Sequence, residues 1–385
     1  MKHLVIYTDE SVLSGTAHSG LGEVSDSLAN AMTTDYRVSV VCADGKSHFT
    51  AATTVREKVS DTVRKCRLFG VDYYLVSRSK DFLADITATI DSLKPDIFHS
   101  FGKPELLESL SYRPSKAVYT IERACYVEGK ENTLEGYDAI TTVSEAAAKE
   151  LLENGDALSE VLAKKPFRGI TNGILHEVFS PEKGVFVQSK FTAEFQYGKT
   201  ACKNRLLATY GIKGNPCLYL MMCRLEPIKG IDRVIEALPQ IKANNGFVVF
   251  VGTGDKEYEN KLSALSREDG ALFVRKFASP VQTIPMLAGA DFLFSPSEKE
   301  SCGLMVMHAC RYGTIPITTL NGGLADNMDE DVAIIIGENG MSEAIEQAGA
   351  LYADSPSLIA KRKKAMHKDF SWATRKRGYM EVYEA

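Results

Sequence analysis

Apolar and polar positions alternate along the chain in two rhythms. Short apolar runs bounded by Gly, Pro, Ser or Asp predict buried strands, and longer stretches with apolar residues every three or four positions predict helices. In the first half, strands are predicted at 3–8, 37–42, 73–76, 96–100, 117–121 and 139–143. Helices are predicted at 22–32, 81–93 and 144–152, the last N-capped by Ser144 with Glu145 in its first turn. Residues 46–65 show no clear period. A stretch at 176–198 carrying Pro181, Gly184 and Gly198 has the character of a linker or excursion. Beyond it the pattern starts over. Strands are predicted at 217–222, 246–251, 272–277, 291–294, 315–319 and 333–336, alternating with helices at 199–210, 231–241, 256–266, 281–288 and from 304 to about 312. Helices fill the remainder of the chain.

Strand–helix alternation of this kind predicts parallel sheets covered by helices on both faces. A chain of 385 residues is too long for one core. The expected fold class is therefore α/β, with two doubly wound Rossmann-like domains facing across a cleft. Residues 1–180 form the N-terminal domain and 181–368 the C-terminal one. A helix at 369–385 is expected to pack back on the first domain. Doubly wound sheets bind ligands beyond the carboxyl ends of their strands, at the point where strand order reverses, so chemistry is expected there.

Composition narrows this little: 44% hydrophobic, 25% charged and a formal net charge of −5 imply no global attraction to nucleic acid or anionic membrane. The run Lys361-Arg362-Lys363-Lys364 reads as the solvated face of a helix. Eight cysteines form no C-x-x-C pair, and several sit in apolar strands or helices. That suits reduced, buried thiols in a cytoplasmic protein rather than disulfides or zinc. The first nine residues read as a strand rather than a signal peptide, and no apolar run is long enough to span a membrane.

Four constellations fall at predicted strand ends. Ser19-Gly20-Leu21-Gly22-Glu23 lies between the first strand and its helix. Its glycines would let a ligand approach the backbone, and the helix N-terminus favours an anion; a plain βα turn fits equally. Arg224 and Lys229 bracket a turn after strand 217–222, where a bidentate guanidinium and a mobile ammonium would neutralise a departing nucleotide diphosphate. Gly254, in the turn Gly252-Thr253-Gly254-Asp255, faces a nucleotide or simply shapes the turn. The fourth spans residues 294–327: an acidic loop with Glu298 and Glu300 lies beside two glycine-led helix starts, Gly303-Leu304 and Gly322-Gly323. Two such N-termini suit phosphates and a carboxylate suits a sugar hydroxyl, so a sugar-nucleotide site is the expectation. Among the histidines, His18 precedes the glycine loop and His99 ends a strand; both are candidates on the acceptor side.

The segments RLEPIKGIDRVIEAL, VGTGD, PSEKESCGL and YGTIPITTLNGGLAD, with TTVSEAAAKEL, GITNGI and the late DFSW, resemble bacterial glycogen synthases and plant starch synthases. These are retaining hexosyltransferases of the two-domain GT-B fold. The likeness covers most of the second half and parts of the first. It implies that Arg224 and Lys229 hold the donor diphosphate and that Glu300 contacts the donor sugar. It implies too that Cys302, Gly303 and Leu304 form a backbone turn over the sugar and distal phosphate, and that Asn172 lies at the hinge side. The implied donor is a nucleotide diphosphate sugar such as ADP-glucose or UDP-glucose. Neither cofactor nor metal is implied, since cations and helix ends do the neutralising. Asp329-Glu330-Asp331 therefore reads as surface solvation.

The chain departs from the family pattern mainly in its first half. The family's K-T-G-G-L-G reads Ala17-His18-Ser19-Gly20-Leu21-Gly22 here, and its T-V-H-N reads Thr120-Ile121-Glu122-Arg123. H-D-W-H reads His99-Ser100-Phe101-Gly102, and the second glutamate of related transferases is His308. A carboxylate at Glu122 would stabilise positive charge developing on the sugar ring; alternatively it pairs with a cation near Arg123. The acceptor stays open between a glucan, a surface polysaccharide, a glycolipid, a small metabolite and a modified nucleic-acid base. A catalytically silent nucleotide-sugar or glycan-binding protein is the rival from another class.

Overall fold

The structure is a computed structural model and describes the chain except for residues 12, 15–19, 46–54, 267–269, 276–279 and 339. The chain divides into two units, Met1–Gly173 with Ser371–Ala385, and Ile174–Phe370.

The first unit is built on nine strands: β1 (His3–Tyr7), β2 (Arg37–Ala43), β3 (Glu57–Lys58), β4 (Val63–Leu68), β5 (Val71–Val76), β6 (Ile97–Ser100), β7 (Lys116–Ile121), β8 (Ala139–Thr142) and β9 (Phe167–Gly169). Their order is β3-β4-β5-β2-β1-β6-β7-β8-β9. All pairings are parallel except β3 with β4 and β4 with β5. Strand order reverses between β1 and β6, so this sheet's switch point lies beyond Tyr7 and Ser100. Every residue of β1 and of β6 is buried, as expected of apolar runs covered on both faces. The antiparallel edge β3–β4 has no period-2 signal in sequence because Val63 and Cys66, three apart, point inward while the residues between them are charged.

The helix Trp372–Glu384 belongs to this unit. Trp372 is 1% exposed, and its indole N–H donates to Ser27 Oγ at 2.7 Å, on the helix Gly20–Met32. A Cβ on Gly173 would come within 2.8 Å of Trp372, so only glycine lets the chain pass there. Lys376 donates to Asp35 (2.5 Å) and Thr34 Oγ1 (2.7 Å), closing the same contact from outside.

The second unit carries β10 (Cys217–Met222), β11 (Gly246–Val251), β12 (Ala271–Val274), β13 (Phe292–Ser295), β14 (Ile315–Thr318) and β15 (Ile334–Ile335). Their order is β12-β11-β10-β13-β14-β15, all parallel, and it reverses between β10 and β13. Tyr219 stacks on Phe292 and Phe294, with ring centroids 5.4 and 5.1 Å apart, and fixes that central pair. The helix expected at 231–241 is two, Ile231–Glu236 and Leu238–Ala243, because Pro239 fits a first turn but not a helix interior.

The amino end of the β10–β13 pair is tied by a buried charge network. Asp291 accepts from Lys203 Nζ (2.6 Å), Arg362 (2.7 Å) and the Leu218 N–H (2.9 Å). Lys199, 2% exposed, donates to Tyr312 O and Thr314 Oγ1, both at 2.9 Å, and burial holds its ammonium well below the ordinary lysine range. This corrects one expectation: Arg362 is no part of a solvated face but turns inward to pair with Asp291, its side chain 11% exposed. Its neighbours Lys364 and Lys368 pair with Asp331 and Asp329, which accounts for the acidic run at 329–331.

All eight cysteines are free thiols, six of them buried. Among the described residues no helix is long and apolar enough to cross a membrane.

Candidate functional site

The carboxyl ends of β10 and β13 hold the residues that sequence singled out in the second half. After β10 the chain runs through Arg224 into a single turn, Pro227–Lys229. Gly230 then reverses it with φ of 70°; a Cβ there would meet Pro296 O at 2.4 Å. The turn is therefore pressed onto the loop that follows β13, and the Glu298 N–H donates to Ile228 O at 2.8 Å across the same seam. The result is an ion pair 71 positions apart in sequence: Lys229 Nζ lies 2.7 Å from Glu300 Oε2, with the two side chains 13% and 24% exposed. Arg224, five residues before Lys229 on the same connection after β10, is 42% exposed and pairs with Glu226 at 3.2 Å. A half-buried cation and a carboxylate thus meet at the switch point of this sheet, with a second, exposed cation on the same connection after β10.

The glycine motifs around this pair divide into two kinds. Gly303, with φ of 83°, starts the helix Leu304–Arg311, and Cys302 is buried beneath it with its carbonyl accepting from Asn327 Nδ2 at 2.8 Å. As at any helix start, the N–H groups of Leu304 and Met305 have no carbonyl one turn back within the helix. Gly322 and Gly323 act differently from the expectation of a second anion-binding helix start. The Gly323 N–H is committed to Glu300 O at 2.8 Å, and the N–H groups of Leu324 and Ala325 are taken by Asn321 and Gly322. A Cβ on Gly322 would lie 2.3 Å from Glu300 O, and one on Gly323 2.3 Å from Ser301 O. Both glycines shape the acidic loop, and the Gly323 N–H is not free for a ligand. Gly254 is likewise a turn residue: it bridges to Leu225, a Cβ would strike Leu225 O at 2.3 Å, and its N–H points to Glu259 Oε1 at 3.5 Å. Glu259, which sequence did not single out, is buried and also takes Lys256 (2.8 Å) and Arg275 (3.0 Å). It holds the turn in place.

In the first unit the next helix after β1 is Gly20–Met32, and a Cβ on Gly22 would come within 3.4 Å of the backbone of Glu10 and Ser11. His18 and Ser19 lie outside the described residues. His99 is not an acceptor contact. It is fully buried in β6, with Nδ1 bonded to Tyr383 OH and Nε2 to Thr120 Oγ1, both at 2.6 Å, and its ring against Phe101. Burial lowers its pKa to about 3, so it is a neutral core residue joining the last helix to the sheet. Asn172 is buried too; its carbonyl accepts from Arg375 and its N–H donates to Val143 O, which makes it part of the same junction. His308 is buried, its ring 3.9 Å from that of Phe179.

Glu122 follows β7 directly. It is half-buried, and its Oε1 is closed off from solvent with no hydrogen-bond partner among the described residues. Burial pushes its carboxyl up to about 8; the opposing pull of Arg123 is smaller, and Glu10 adds to the rise. Among the described residues no ion pair joins Glu122 to Arg123. Nearby, a pocket of about 380 Å³ opens at the carboxyl ends of β1 and β6. Tyr7, Asp9, Glu10, Arg78, Phe82 and Lys103 line it, with Tyr7 OH donating to Asp9 at 2.6 Å. Sequence gave no signal for Arg78, Phe82 or Lys103, which lie in loops or at a helix start. A comparable opening at the amino ends of the strands, lined by Met1, Arg37 and Asp72, is away from where such sheets bind ligands.

Residues 203–369, the segment that holds Arg224, Lys229 and Glu300, match the family described as glycosyl transferases group 1. The glycogen synthase of Myxococcus xanthus is 36% identical over 258 residues, covering 64% of this chain and 54% of that protein. The glycogen synthase of Geotalea daltonii is 30% identical over 329 residues, covering 80% of this chain and 67% of that protein. Against the Myxococcus protein the chain thus spans about half of its relative's length. Among solved structures, the catalytic domain of starch synthase IV from Arabidopsis thaliana, bound to ADP and acarbose, superposes with a TM-score of 0.82 at 20% identity, covering 100% of this chain and 99% of that one. Anabaena HepE in complex with UDP-glucose superposes with a TM-score of 0.71 at 15% identity over the whole of both chains. The fold is that of the GT-B glycosyltransferases. The chain belongs to the glycosyl transferase group 1 family, among its glycogen and starch synthase-like members.

Proposed function

We propose that the protein is a retaining hexosyltransferase, moving a hexose, glucose by family default, from a nucleotide diphosphate sugar to an acceptor hydroxyl. The observation that carries this is the Lys229–Glu300 pair at the β10–β13 switch point, with Arg224 on the same connection after β10 and the Leu304–Arg311 helix starting at the end of the acidic loop that holds Glu300. Donors of the ADP-glucose or UDP-glucose type suit this arrangement: the starch synthase neighbour holds ADP and the HepE neighbour UDP-glucose.

The chemistry follows from charge. As the glycosidic bond to the diphosphate breaks, negative charge grows on the leaving oxygen. Lys229 and Arg224 are fixed cations for that charge, and the helix N-terminus adds its partial positive charge. Glu300, neutralised by Lys229 in the resting protein, accepts hydrogen bonds from the sugar hydroxyls and orients the ring. The departing phosphate takes the acceptor's proton, so the same face of the sugar is attacked and left. Two cations supply what a divalent metal would, and transfer is expected to persist in EDTA. The acceptor is a carbohydrate or other hydroxyl compound held by the first unit.

The test is a panel of nucleotide sugars scored for release of nucleoside diphosphate, with and without oligoglucans, lipids and small sugars as acceptors. Release from a glucosyl donor that rises with one acceptor supports the assignment. No release from any donor, with nucleotide sugar still bound, indicates a binding protein instead.

A further inference from the structure

Glu122 combines three features that ordinary surface glutamates lack. It sits at the carboxyl end of β7, a central strand beside the switch point, and its predecessor is pinned because Thr142 Oγ1 donates to Ile121 O at 2.7 Å. One of its carboxyl oxygens is sealed from water without a donor, while the residue as a whole is only partly buried. A carboxylate oxygen shut away without a donor is costly, whereas a neutral carboxyl tolerates the site far better. The charged groups acting on it, among the described residues, are Arg123 beside it in the chain and Glu10 from the loop after β1, and these oppose one another.

We propose that Glu122 works as a neutral hydrogen-bond donor to a sugar hydroxyl: the closed-off Oε1 is its carbonyl oxygen, and the other oxygen carries the proton and gives it to one oxygen of the ligand. This rests on the hexosyltransferase assignment, and it replaces the anionic role that a carboxylate near the reacting sugar first suggests. The elevated titration sets the operating range: the group donates below pH about 8 and loses its proton above it. Glu10, which lines the adjoining pocket, helps keep it protonated.

Glu122→Gln preserves a donor and the carbonyl oxygen and removes the titrating proton, whereas Glu122→Ala removes donor and carbonyl both. With the best donor and acceptor from the panel, the Gln variant is expected to keep kcat/KM within about threefold of the parent at pH 7 and to lose the parent's alkaline fall above pH 8. The Ala variant is expected to drop at least tenfold. A Gln variant as damaged as the Ala variant would establish an anionic role and overturn the proposal. Parent-like activity and an unchanged pH profile in both variants would make the residue structural and overturn it equally. Independently of turnover, the carboxyl band of Glu122, isolated as the infrared difference between parent and Gln variant, should titrate near pH 8; a midpoint near 4.5 refutes the proposal. That spectroscopic result stands even if the nucleotide-sugar panel fails, so the two failures are distinguishable.

Discussion

Removing the ammonium of Lys229 tests the site most directly. In Lys229→Ala the carboxylate of Glu300, 24% exposed, loses a partner at 2.7 Å. A hydrogen bond between charged groups contributes about 1.5–3 kcal/mol net when buried, and partial exposure of both side chains brings the stability loss to about 1 kcal/mol. For a unit of this size that is a fall in Tm of about 2–4 °C. The transition state should suffer more. Deleting one preorganised group that faces developing charge costs about 2.7–4 kcal/mol, or about 10²–10³ in turnover. Purified Lys229→Ala, Glu300→Gln and the double variant would be compared by thermal melts and by initial rates of nucleoside diphosphate release. The single variants should melt within a few degrees of the parent yet transfer about a hundredfold slower or worse. The double variant should lose less than the sum of the two, because each removes the other's partner. If Lys229→Ala transfers within threefold of the parent, and its effects add to those of Glu300→Gln, the two residues do not share the reaction and the site lies elsewhere.

Three further outcomes are expected. Arg224→Ala, at an exposed position, should leave Tm within about 1 °C while raising KM for the nucleotide sugar at least tenfold; an unchanged KM would remove Arg224 from the donor site. Gly322→Ala places a side chain at φ of 56° with its Cβ against Glu300 O, so turnover should fall about tenfold or more with a loss of about 1–3 kcal/mol in stability; full activity would show that the loop gives way freely. His99 ionises near pH 6.5 in the unfolded chain but only near pH 3 in the folded one, so the unfolded state binds more protons between those values and stability falls as pH drops through that window. The parent should lose about 2 kcal/mol more between pH 7 and pH 5 than His99→Phe does, measured by urea unfolding; equal losses would refute the buried, neutral assignment.

Much of this protein was legible in one dimension. Strands buried on both faces must be nearly all apolar, so β1, β10 and β11 stood out, and the alternation with helices implied parallel sheets. Arg224 and Lys229 were visible because a strand end followed by cations and Gly230 is a local pattern. Glu300 was visible through the glycine that follows it. What sequence could not carry was pairing across distance and the direction in which a side chain points. That Lys229 meets Glu300 depends on β10 lying beside β13, a matter of strand order. His99 ends a strand exactly as a ligand contact would, yet Tyr383, 284 positions later, takes its ring into the core. Gly322 and Gly323 look like an anion cradle until the carbonyl of Glu300 is seen to take the Gly323 N–H. Glu122 reads as a charge in the sequence, and only the closed space around its Oε1 makes it a neutral acid. Local backbone preference and apolar period are written residue by residue. Desolvation and contact are properties of what surrounds a residue, and only the folded chain decides them.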